Sequence, residues 1–202
     1  MKTKYTRGAG SDPVPKIAGL VLTPGASAGR EQSALVAIDE ALGGIGTRVE
    51  RIDFPYHLAG RRAPDRPAVL IATVIDATRT LADDLGVAVD RIAVGGRSMG
   101  GRMGSMAVAE GLPAAALVMV SYPLHPPGRP DRMRTDHFGA IAVPCLFVSG
   151  TRDAFGTPVE LETATRAIPG PVTHRWIEKG DHGLRRKDVE VAEIVREWVA
   201  SL

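Results

Sequence analysis

Short apolar runs alternate along the chain with longer segments whose apolar residues recur at helical spacing. The short runs predict strands over 17–22, 47–54, 91–94, 115–120, 145–149 and 172–177. The longer segments predict helices over 33–42, 68–85, 99–110, 158–168 and 185–202. Strands that alternate with helices form parallel sheets with crossover helices on both faces. The pattern therefore predicts an α/β protein of three layers, with a doubly wound, mostly parallel sheet between two layers of helices.

Two segments lack this alternation. Residues 1–16 are rich in Gly, Ser, Pro and Lys, and they predict a flexible N-terminal tail that leaves 17–202 as a single domain. Residues 122–140 are rich in Pro, Arg and Gly. Because this second segment is too polar and too often interrupted for a helical cap domain, we expect a loop over the carboxyl edge of the sheet, where open α/β proteins bind ligands.

Composition narrows the possible functions. The 202 residues carry a formal net charge of +2 without a dense Lys/Arg stripe and interleaved aromatic residues, so no nucleic-acid partner is expected. No apolar run approaches the roughly 18 residues of a membrane helix, and no apolar segment follows the basic N-terminus. We therefore expect no membrane partner and a cytoplasmic location. The single cysteine, Cys145, permits no intrachain disulfide and is expected to be a core residue.

The segment Gly96-Arg97-Ser98-Met99-Gly100 has the G-x-S-x-G pattern of a nucleophile elbow. It directly follows a predicted strand and opens a predicted helix, which is the context that the motif requires. Glycines on either side of the serine avoid collisions at such a sharp turn, and the helix N-terminus presents backbone N–H groups to the serine oxygen. The alternative is a glycine-rich turn with a capping serine. A phosphate loop is disfavoured, because no Lys-Ser/Thr pair follows and no G-x-G-x-x-G is present.

A serine nucleophile needs a base and an acid that orients the base, and after such an elbow the chain order is serine, acid, histidine. His182 lies in a turn between the last predicted strand and the last helix, where its ring can reach Ser98. Asp153 follows the penultimate strand and is the predicted acid, with Asp181 as its rival. The alternatives are a surface histidine at 182 and a turn or helix-capping aspartate at 153.

An oxyanion hole for this triad needs two backbone N–H donors. We expect one from Met99, directly after the serine, and one from Ala26 in the glycine-containing loop after the first strand. No cofactor and no metal is expected. The expected partner is a small-molecule acyl substrate, and the oligomeric state is left open.

Positive charge is concentrated in the loop after the fourth predicted strand. The candidates for binding an anionic group of the substrate are His125 and Arg129. The alternative, which we favour, is a loop whose side chains are solvated. Two further arginines, Arg97 and Arg102, flank the serine and either brace the helix or contact neighbouring loops. The loop also contains Arg132, Arg134 and His137.

Four stretches resemble a known family: Gly-Gly-Arg-Ser-Met-Gly-Gly-Arg at 95–102, Ser-Tyr-Pro-Leu-His-Pro-Pro-Gly at 121–128, Gly-Thr-Arg-Asp at 150–153 and Gly-Asp-His at 180–182. They are similar to the α/β-hydrolase-like family that includes testis-expressed protein thirty and a subunit of the NSL chromatin complex, and more loosely to dienelactone hydrolases. The resemblance extends over about 17–202. It implies an α/β-hydrolase fold without a large cap domain and a catalytic triad of Ser98, Asp153 and His182.

Two departures from these relatives affect what the resemblance implies. Pro24 stands where many relatives carry His before the oxyanion glycine, which leaves the shape of that loop open. Dienelactone hydrolases use a cysteine nucleophile, whereas Ser98 occupies the elbow here, so their specific activity is not implied.

The leading hypothesis is a serine hydrolase of esterase or thioesterase type, which acts on an ester, thioester or related acyl substrate through an acyl-enzyme on Ser98. One alternative is a non-catalytic binding or scaffold module, as the family member in a chromatin complex suggests. Another is an acyltransferase or perhydrolase that uses the same triad.

Overall fold

The computed structural model describes residues 17–202, and within this range six strands form one parallel sheet. The strands are β1 (Gly19–Thr23), β2 (Arg48–Arg51), β3 (Ile92–Arg97), β4 (Leu117–Val120), β5 (Cys145–Gly150) and β6 (Val172–Ile177). Their order across the sheet is β2-β1-β3-β4-β5-β6, and every neighbouring pair is parallel. The predicted N-terminal tail, residues 1–16, lies outside the described residues.

The chain enters the sheet in its interior. From β1 it moves outward to β2, returns past β1 to β3, and then adds each later strand on the opposite side. The direction of winding therefore reverses between β1 and β3. In a parallel sheet such a reversal opens a crevice at the carboxyl ends of the strands, because the two flanking loops leave on opposite faces. The loops after β1, β3, β5 and β6 all reach this edge.

Helices cover both faces of the sheet, as the alternating pattern predicts. They are α1 (Ser33–Gly43), α2 (Pro55–Leu58), α3 (Pro67–Leu85), α4 (Met99–Ala109), α5 (Pro158–Thr165) and α6 (Asp188–Ala200). Apolar residues of α1 and α6 pack on one face, and those of α3, α4 and α5 pack on the other. Successive strand residues point to opposite faces, so Ala93 contributes to the first layer and Val94 to the second.

One helix that begins at the carboxyl edge, α5, has a clear local start signal. At α5, the side chain of Thr157 accepts a hydrogen bond from the Glu160 N–H, and the Glu160 carboxylate accepts one from the Thr157 N–H at 2.8 Å. This capping box satisfies backbone donors that the helix itself leaves unpaired. Pro158 occupies the first helical position, where a missing N–H costs nothing. The box therefore fixes where the chain enters α5 after leaving β5.

Four predicted boundaries are wrong by three residues. Strand β3 ends at Arg97 and not at 94, and α5 ends at Thr165 and not at 168. The other two differ for local backbone reasons. The strand predicted over 47–54 is shorter, because Pro55 opens the unpredicted helix α2. The last helix does not begin at 185, since Leu184 and Arg186 have φ angles of 45° and 62° that an α-helix does not allow. It begins instead at Asp188.

The segment between β4 and β5 is irregular, as predicted, apart from a 3₁₀ turn over Phe138–Ala140. It is nonetheless anchored, because Phe138 is fully buried with its ring 5.4 Å from that of Tyr122. The segment forms no helical domain over the sheet. No helix within residues 17–202 has the length and apolar character needed to cross a bilayer.

Candidate active site

Ser98 lies at the turn from β3 into α4, with φ 52° and ψ −115°. A positive φ is strained for a residue with a Cβ, and such strain persists only where the surrounding structure enforces it. Here the Ser98 N–H donates to the carbonyl of Val120 at 2.8 Å, and its own carbonyl accepts from the Arg102 N–H at 3.1 Å. These bonds hold the serine side chain at the carboxyl edge, in front of the α4 N-terminus.

The glycines around Ser98 let this turn pack against the end of β1. A Cβ at Gly96 would collide with Thr23, and a Cβ at Gly100 would collide with the carbonyl oxygens of Thr23 and Pro24. The collision within the turn that the motif predicts is also present, at 2.9 Å from a Gly96 Cβ to the carbonyl carbon of Gly100. The neighbouring strand is thus a second reason for both glycines, which the sequence alone does not reveal.

Three side chains that are distant in the sequence meet in front of this turn. The Ser98 Oγ lies 2.8 Å from His182 Nε2. His182 Nδ1 lies 2.8 Å from Asp153 Oδ2 and 3.0 Å from Asp153 Oδ1. The aspartate side chain is 1% exposed and the histidine side chain 20% exposed. The structure therefore brings the predicted nucleophile, base and acid into one hydrogen-bonded chain.

The hydrogen bonds assign a role to each ring nitrogen of His182. The Asp153 carboxylate can only accept, so Nδ1 carries the proton that it donates to Asp153. Nε2 is then left with a lone pair directed at the Ser98 hydroxyl, which is the arrangement that a general base requires. The ring is further held by Phe155, whose centroid lies 3.9 Å away in a stacked geometry.

The rival acid has a different task. Asp181 Oδ1 accepts a hydrogen bond from the Leu184 N–H at 3.0 Å, which stabilises the turn after His182. Asp153, in contrast, directs both carboxylate oxygens at the histidine and also accepts from the Phe155 N–H at 2.8 Å. The geometry therefore favours Asp153 over Asp181.

The loop after β1 faces the serine from the other side of the crevice. Ala26 and Met99, the two predicted oxyanion donors, both line the cavity at Ser98. The Met99 N–H is at the first turn of α4, where it has no partner within the helix. The Ala26 carbonyl accepts from the Tyr56 hydroxyl at 2.8 Å, which anchors this loop.

Gln32 and Pro24 define the rest of the loop after β1. The Gln32 side-chain oxygen accepts from the Gly25 N–H at 3.2 Å. Pro24 is buried, and its carbonyl oxygen faces Gly100. The prolyl residue that departs from the relatives' pattern therefore packs beneath the loop, against the elbow.

Arg97 connects the elbow at Ser98 to the histidine loop, which is the loop after β6 that carries His182. Its guanidinium Nη2 donates to the backbone carbonyl of His182 at 2.7 Å. Burial lowers the pKa of Arg97 from its usual value, while the nearby carboxylates of Asp153, Asp188 and Asp181 act in the opposite direction. The sequence left open whether Arg97 braces the helix or contacts a loop, and the structure shows the loop contact.

A cavity of about 630 Å³ opens above Ser98. Its wall is formed by the loop after β1, the start of α4, the irregular segment after β4, and the loops after β5 and β6 that carry the predicted acid and base. The lining residues are Gly25, Ala26, Ser27, Ala28, Gln32, Arg97, Ser98, Met99, Arg102, Pro123, Arg134, Phe155 and His182.

The two residues predicted for substrate binding do not line this cavity. His125 is buried, with Nδ1 placed 2.8 Å from the Pro126 carbonyl oxygen. Arg129 is exposed and pairs with Asp131 at 3.1 Å. Arg134, from the same segment, reaches the cavity instead. The run of basic residues did signal a contribution from this loop, but the fold of the loop determines which of them faces the serine.

A family model for the alpha/beta hydrolase domain matches residues 16–199 of the sequence. The chain belongs to the alpha/beta hydrolase family. The strand order, the elbow after β3 and the absence of a large cap domain over the described residues all agree with this assignment. Within residues 17–202 of this hydrolase-family chain, no group of three or more His, Cys, Asp or Glu side chains could hold a metal ion.

Solved structures of other proteins superpose on nearly the whole chain. Est1E from Butyrivibrio proteoclasticus matches with a TM-score of 0.75 and 16% identity, over 93% of this chain and 88% of that one. Dienelactone hydrolase from Anabaena variabilis matches with a TM-score of 0.72 and 21% identity, over 90% and 85%. An alpha-beta serine hydrolase homologue from Coxiella burnetii matches with a TM-score of 0.72 and 18% identity, over 95% of this chain and 88% of that one. At these identities the likeness shows a shared fold.

Proposed function

We propose that this alpha/beta hydrolase is a serine hydrolase that cleaves an ester, thioester or related acyl substrate through an acyl-enzyme on Ser98. The observation that carries the proposal is the continuous hydrogen-bonded chain from Ser98 through His182 to Asp153, with both distances at 2.8 Å. A buried carboxylate, an oriented imidazole and a strained serine at a helix N-terminus together meet the requirements of nucleophilic catalysis. The proposed setting is cytoplasmic, with a small-molecule substrate.

The reaction has two halves. The Ser98 Oγ attacks the carbonyl carbon of the substrate while its proton passes to His182 Nε2, and the oxyanion accepts hydrogen bonds from the Met99 and Ala26 N–H groups. The imidazolium, stabilised by Asp153, then protonates the leaving alcohol or thiol. Water attacks the acyl-enzyme, gives its proton to His182, and releases the acid while the proton returns to Ser98.

The direct test is labelling by a fluorophosphonate probe, which reacts with an activated serine and forms a stable adduct. We expect labelling of the wild type and none of Ser98→Ala. Ser27→Ala is the matched control, because Ser27 lines the same cavity but is exposed and makes no side-chain hydrogen bond in the described chain. Wild-type protein that resists the probe, under conditions where a known esterase is labelled, would count against the proposal.

Turnover of short 4-nitrophenyl esters gives a second measure. We expect Ser98→Ala to lower kcat by about 10³-fold or more, since triad residues act as a unit. Equal rates for the wild type and Ser98→Ala would instead favour a non-catalytic scaffold. Product analysis with added alcohol or peroxide as acceptor distinguishes hydrolysis from acyl transfer and perhydrolysis.

A further inference from the structure

The described side chains that line the active-site cavity include positive charges and no negative ones. Its described wall contains three arginines, Arg97, Arg102 and Arg134, and no Asp or Glu. Arg97 already donates to the His182 carbonyl, as described above. The other two guanidinium groups take part in no ion pair within residues 17–202. They therefore bring uncompensated positive charge to the space in front of the nucleophile.

Arg102 is positioned by the same helix as the nucleophile. It lies one turn along α4 from Ser98, to whose carbonyl its N–H donates at 3.1 Å. Residues spaced by one helical turn face the same side, which explains why both line the cavity. The Arg102 Nε is buried and has no hydrogen-bond partner in the described chain. A buried donor without an acceptor is costly, and an anion in the cavity would supply the acceptor.

Arg134 approaches the same space from the irregular segment after β4. Its backbone is fixed, since its N–H donates to the Leu124 carbonyl at 2.8 Å and its carbonyl accepts from the Tyr122 hydroxyl at 2.7 Å. Burial and the charge of Arg102 both lower the pKa of Arg134 from its usual value. Arg102 and Arg134 thus place two like charges in the wall of one cavity, and a shared anion would relieve their repulsion. In the described chain the Arg134 guanidinium makes one side-chain hydrogen bond, from Nη1 to the Pro123 carbonyl at 3.3 Å.

Tyr122 and His137, two titratable side chains that interact with Arg102, supply no counter-charge. The exposed carboxylate of Asp136, in contrast, acts on His137 in the direction opposite to Arg102. Burial raises the pKa of Tyr122, so its hydroxyl stays neutral at physiological pH. Burial and Arg102 lower the pKa of His137 to about 4, so its ring is neutral as well and hydrogen-bonds Ser105 Oγ at 2.8 Å. Because both side chains are neutral, neither forms an ion pair with Arg102 or Arg134 that a ligand would have to displace.

We propose that Arg102 and Arg134 form a carboxylate subsite beside Ser98, so that the preferred substrates are esters or thioesters that carry a free carboxylate. The planar guanidinium fork matches a carboxylate with paired N–H···O bonds, and such charge-assisted bonds are stronger than neutral ones. The subsite rests on the proposed hydrolase function and specifies its substrate class. It uses two residues that the triad chemistry leaves free.

Matched ester pairs test the subsite. With charge on the acyl side, mono-4-nitrophenyl adipate is compared with its methyl ester. With charge on the alcohol side, 4-carboxyphenyl butanoate is compared with its methyl ester. In at least one pair we expect the wild type to favour the charged member by about tenfold or more in kcat/KM, the effect of one charge-assisted hydrogen bond.

The variants assign that preference to residues. Arg102→Gln and Arg134→Gln should each reduce the charged-to-neutral ratio about tenfold while turnover of the neutral ester changes less. Arg129→Gln is the matched control, because it removes an exposed arginine of the same loop that lies outside the cavity. Added salt should also lower the wild-type ratio. If Arg102→Gln does not fold, the charged-to-neutral ratio of Arg134→Gln and the salt dependence of the wild-type ratio still test the subsite.

Two outcomes separate this proposal from the hydrolase function on which it rests. If Ser98-dependent hydrolysis is observed but charged and neutral esters are cleaved equally, the carboxylate subsite is overturned and the hydrolase function stands. If no ester is cleaved, calorimetric binding of the same intact esters to the protein decides. Tighter binding of a charged member, lost in Arg134→Gln and retained in Arg129→Gln, supports the subsite, and equal binding overturns it.

Discussion

Asp153 illustrates how much one residue determines at this site. Its two carboxylate oxygens accept from two donors, the His182 Nδ1–H, which both oxygens share, and the Phe155 N–H, which donates to Oδ1. It is nearly inaccessible to water, so its orientation is set by the protein alone. The identity of this side chain therefore controls which nitrogen of His182 carries the proton.

We expect Asp153→Asn to keep the fold and lower kcat by about 10³- to 10⁴-fold. An amide NH₂ directed at Nδ1 would favour the tautomer with the proton on Nε2, which cannot accept the Ser98 proton. The measurement is kcat on a 4-nitrophenyl ester, with thermal unfolding as the check on folding. Asp181→Asn should retain most activity, because an asparagine oxygen can still accept from the Leu184 N–H; the reverse ranking of the two variants would make Asp181 the acid.

His137 gives a prediction about stability and pH. Its pKa is lowered from 6.5 to about 4, chiefly by burial and then by Arg102, so the unfolded chain binds a proton more readily than the folded protein. Stability should therefore fall as pH decreases from about 6.5 to about 4. We expect His137→Gln, which cannot titrate, to lose less stability over this interval in urea unfolding. Identical pH profiles would contradict the prediction.

At the scale of elements, the contact between the elbow and the histidine loop holds two parts of the site in a fixed relative position. The turn from β3 to α4 carries Ser98, the proposed nucleophile, and the loop after β6 carries His182, the proposed base. Arg97 joins them through a single hydrogen bond of 2.7 Å to a backbone carbonyl. Within the part of the chain that the structure describes, Arg97 makes no hydrogen bond to the Ser98 hydroxyl or the His182 ring, so we expect it to position His182.

We expect Arg97→Met to lower kcat by about tenfold or more with a smaller change in KM, because small displacements of a catalytic group are expensive. Arg175→Met is the control, since Arg175 is exposed on β6 and donates only to the carbonyl of its neighbour His174. A change confined to thermal stability, with kcat intact, would limit Arg97 to a structural role.

The arrangement of elements was largely predictable, and the reason is periodicity. Buried strands such as β4 are apolar without interruption, and the face of α3 repeats at helical spacing, so both signals are local. The G-x-S-x-G motif and the element ends also selected Ser98, Asp153 and His182, whose side chains the structure brings within hydrogen-bond distance. The cavity wall was not predictable in this way, because the choice of Arg134 over Arg129 depends on how an irregular loop folds onto Tyr122 and Leu124.

At the scale of the whole molecule, stability comes from two apolar layers separated by the sheet. The central strands are buried on both sides, whereas the edge strands β2 and β6 carry charged residues. Leu146, on β5, is fully buried in the layer that packs against α1 and α6. Removal of such a side chain leaves a cavity that the surrounding sheet cannot close.

We expect Leu146→Ala to lower the free energy of unfolding by about 2–5 kcal/mol. Val189→Ala, on α6, should change it by less than about 0.5 kcal/mol, because Val189 is 75% exposed. Urea unfolding of both variants provides the measurement. Equal destabilisation would mean that α6 is packed differently from the described arrangement.

The interior position of β1 in the sheet affects when the site can form during folding. The proposed nucleophile, acid and base follow β3, β5 and β6, and the loop with the proposed oxyanion donor Ala26 follows β1, so no contiguous half of the polypeptide contains the whole proposed centre. We therefore expect Ser98 of a newly made or refolding chain to stay unactivated until β6 pairs with β5 at the edge of the sheet. The rate at which a refolding chain regains reactivity towards a serine-directed probe would then report when the whole sheet has formed. We expect this rate to equal that of the slowest strand–helix–strand connection to fold.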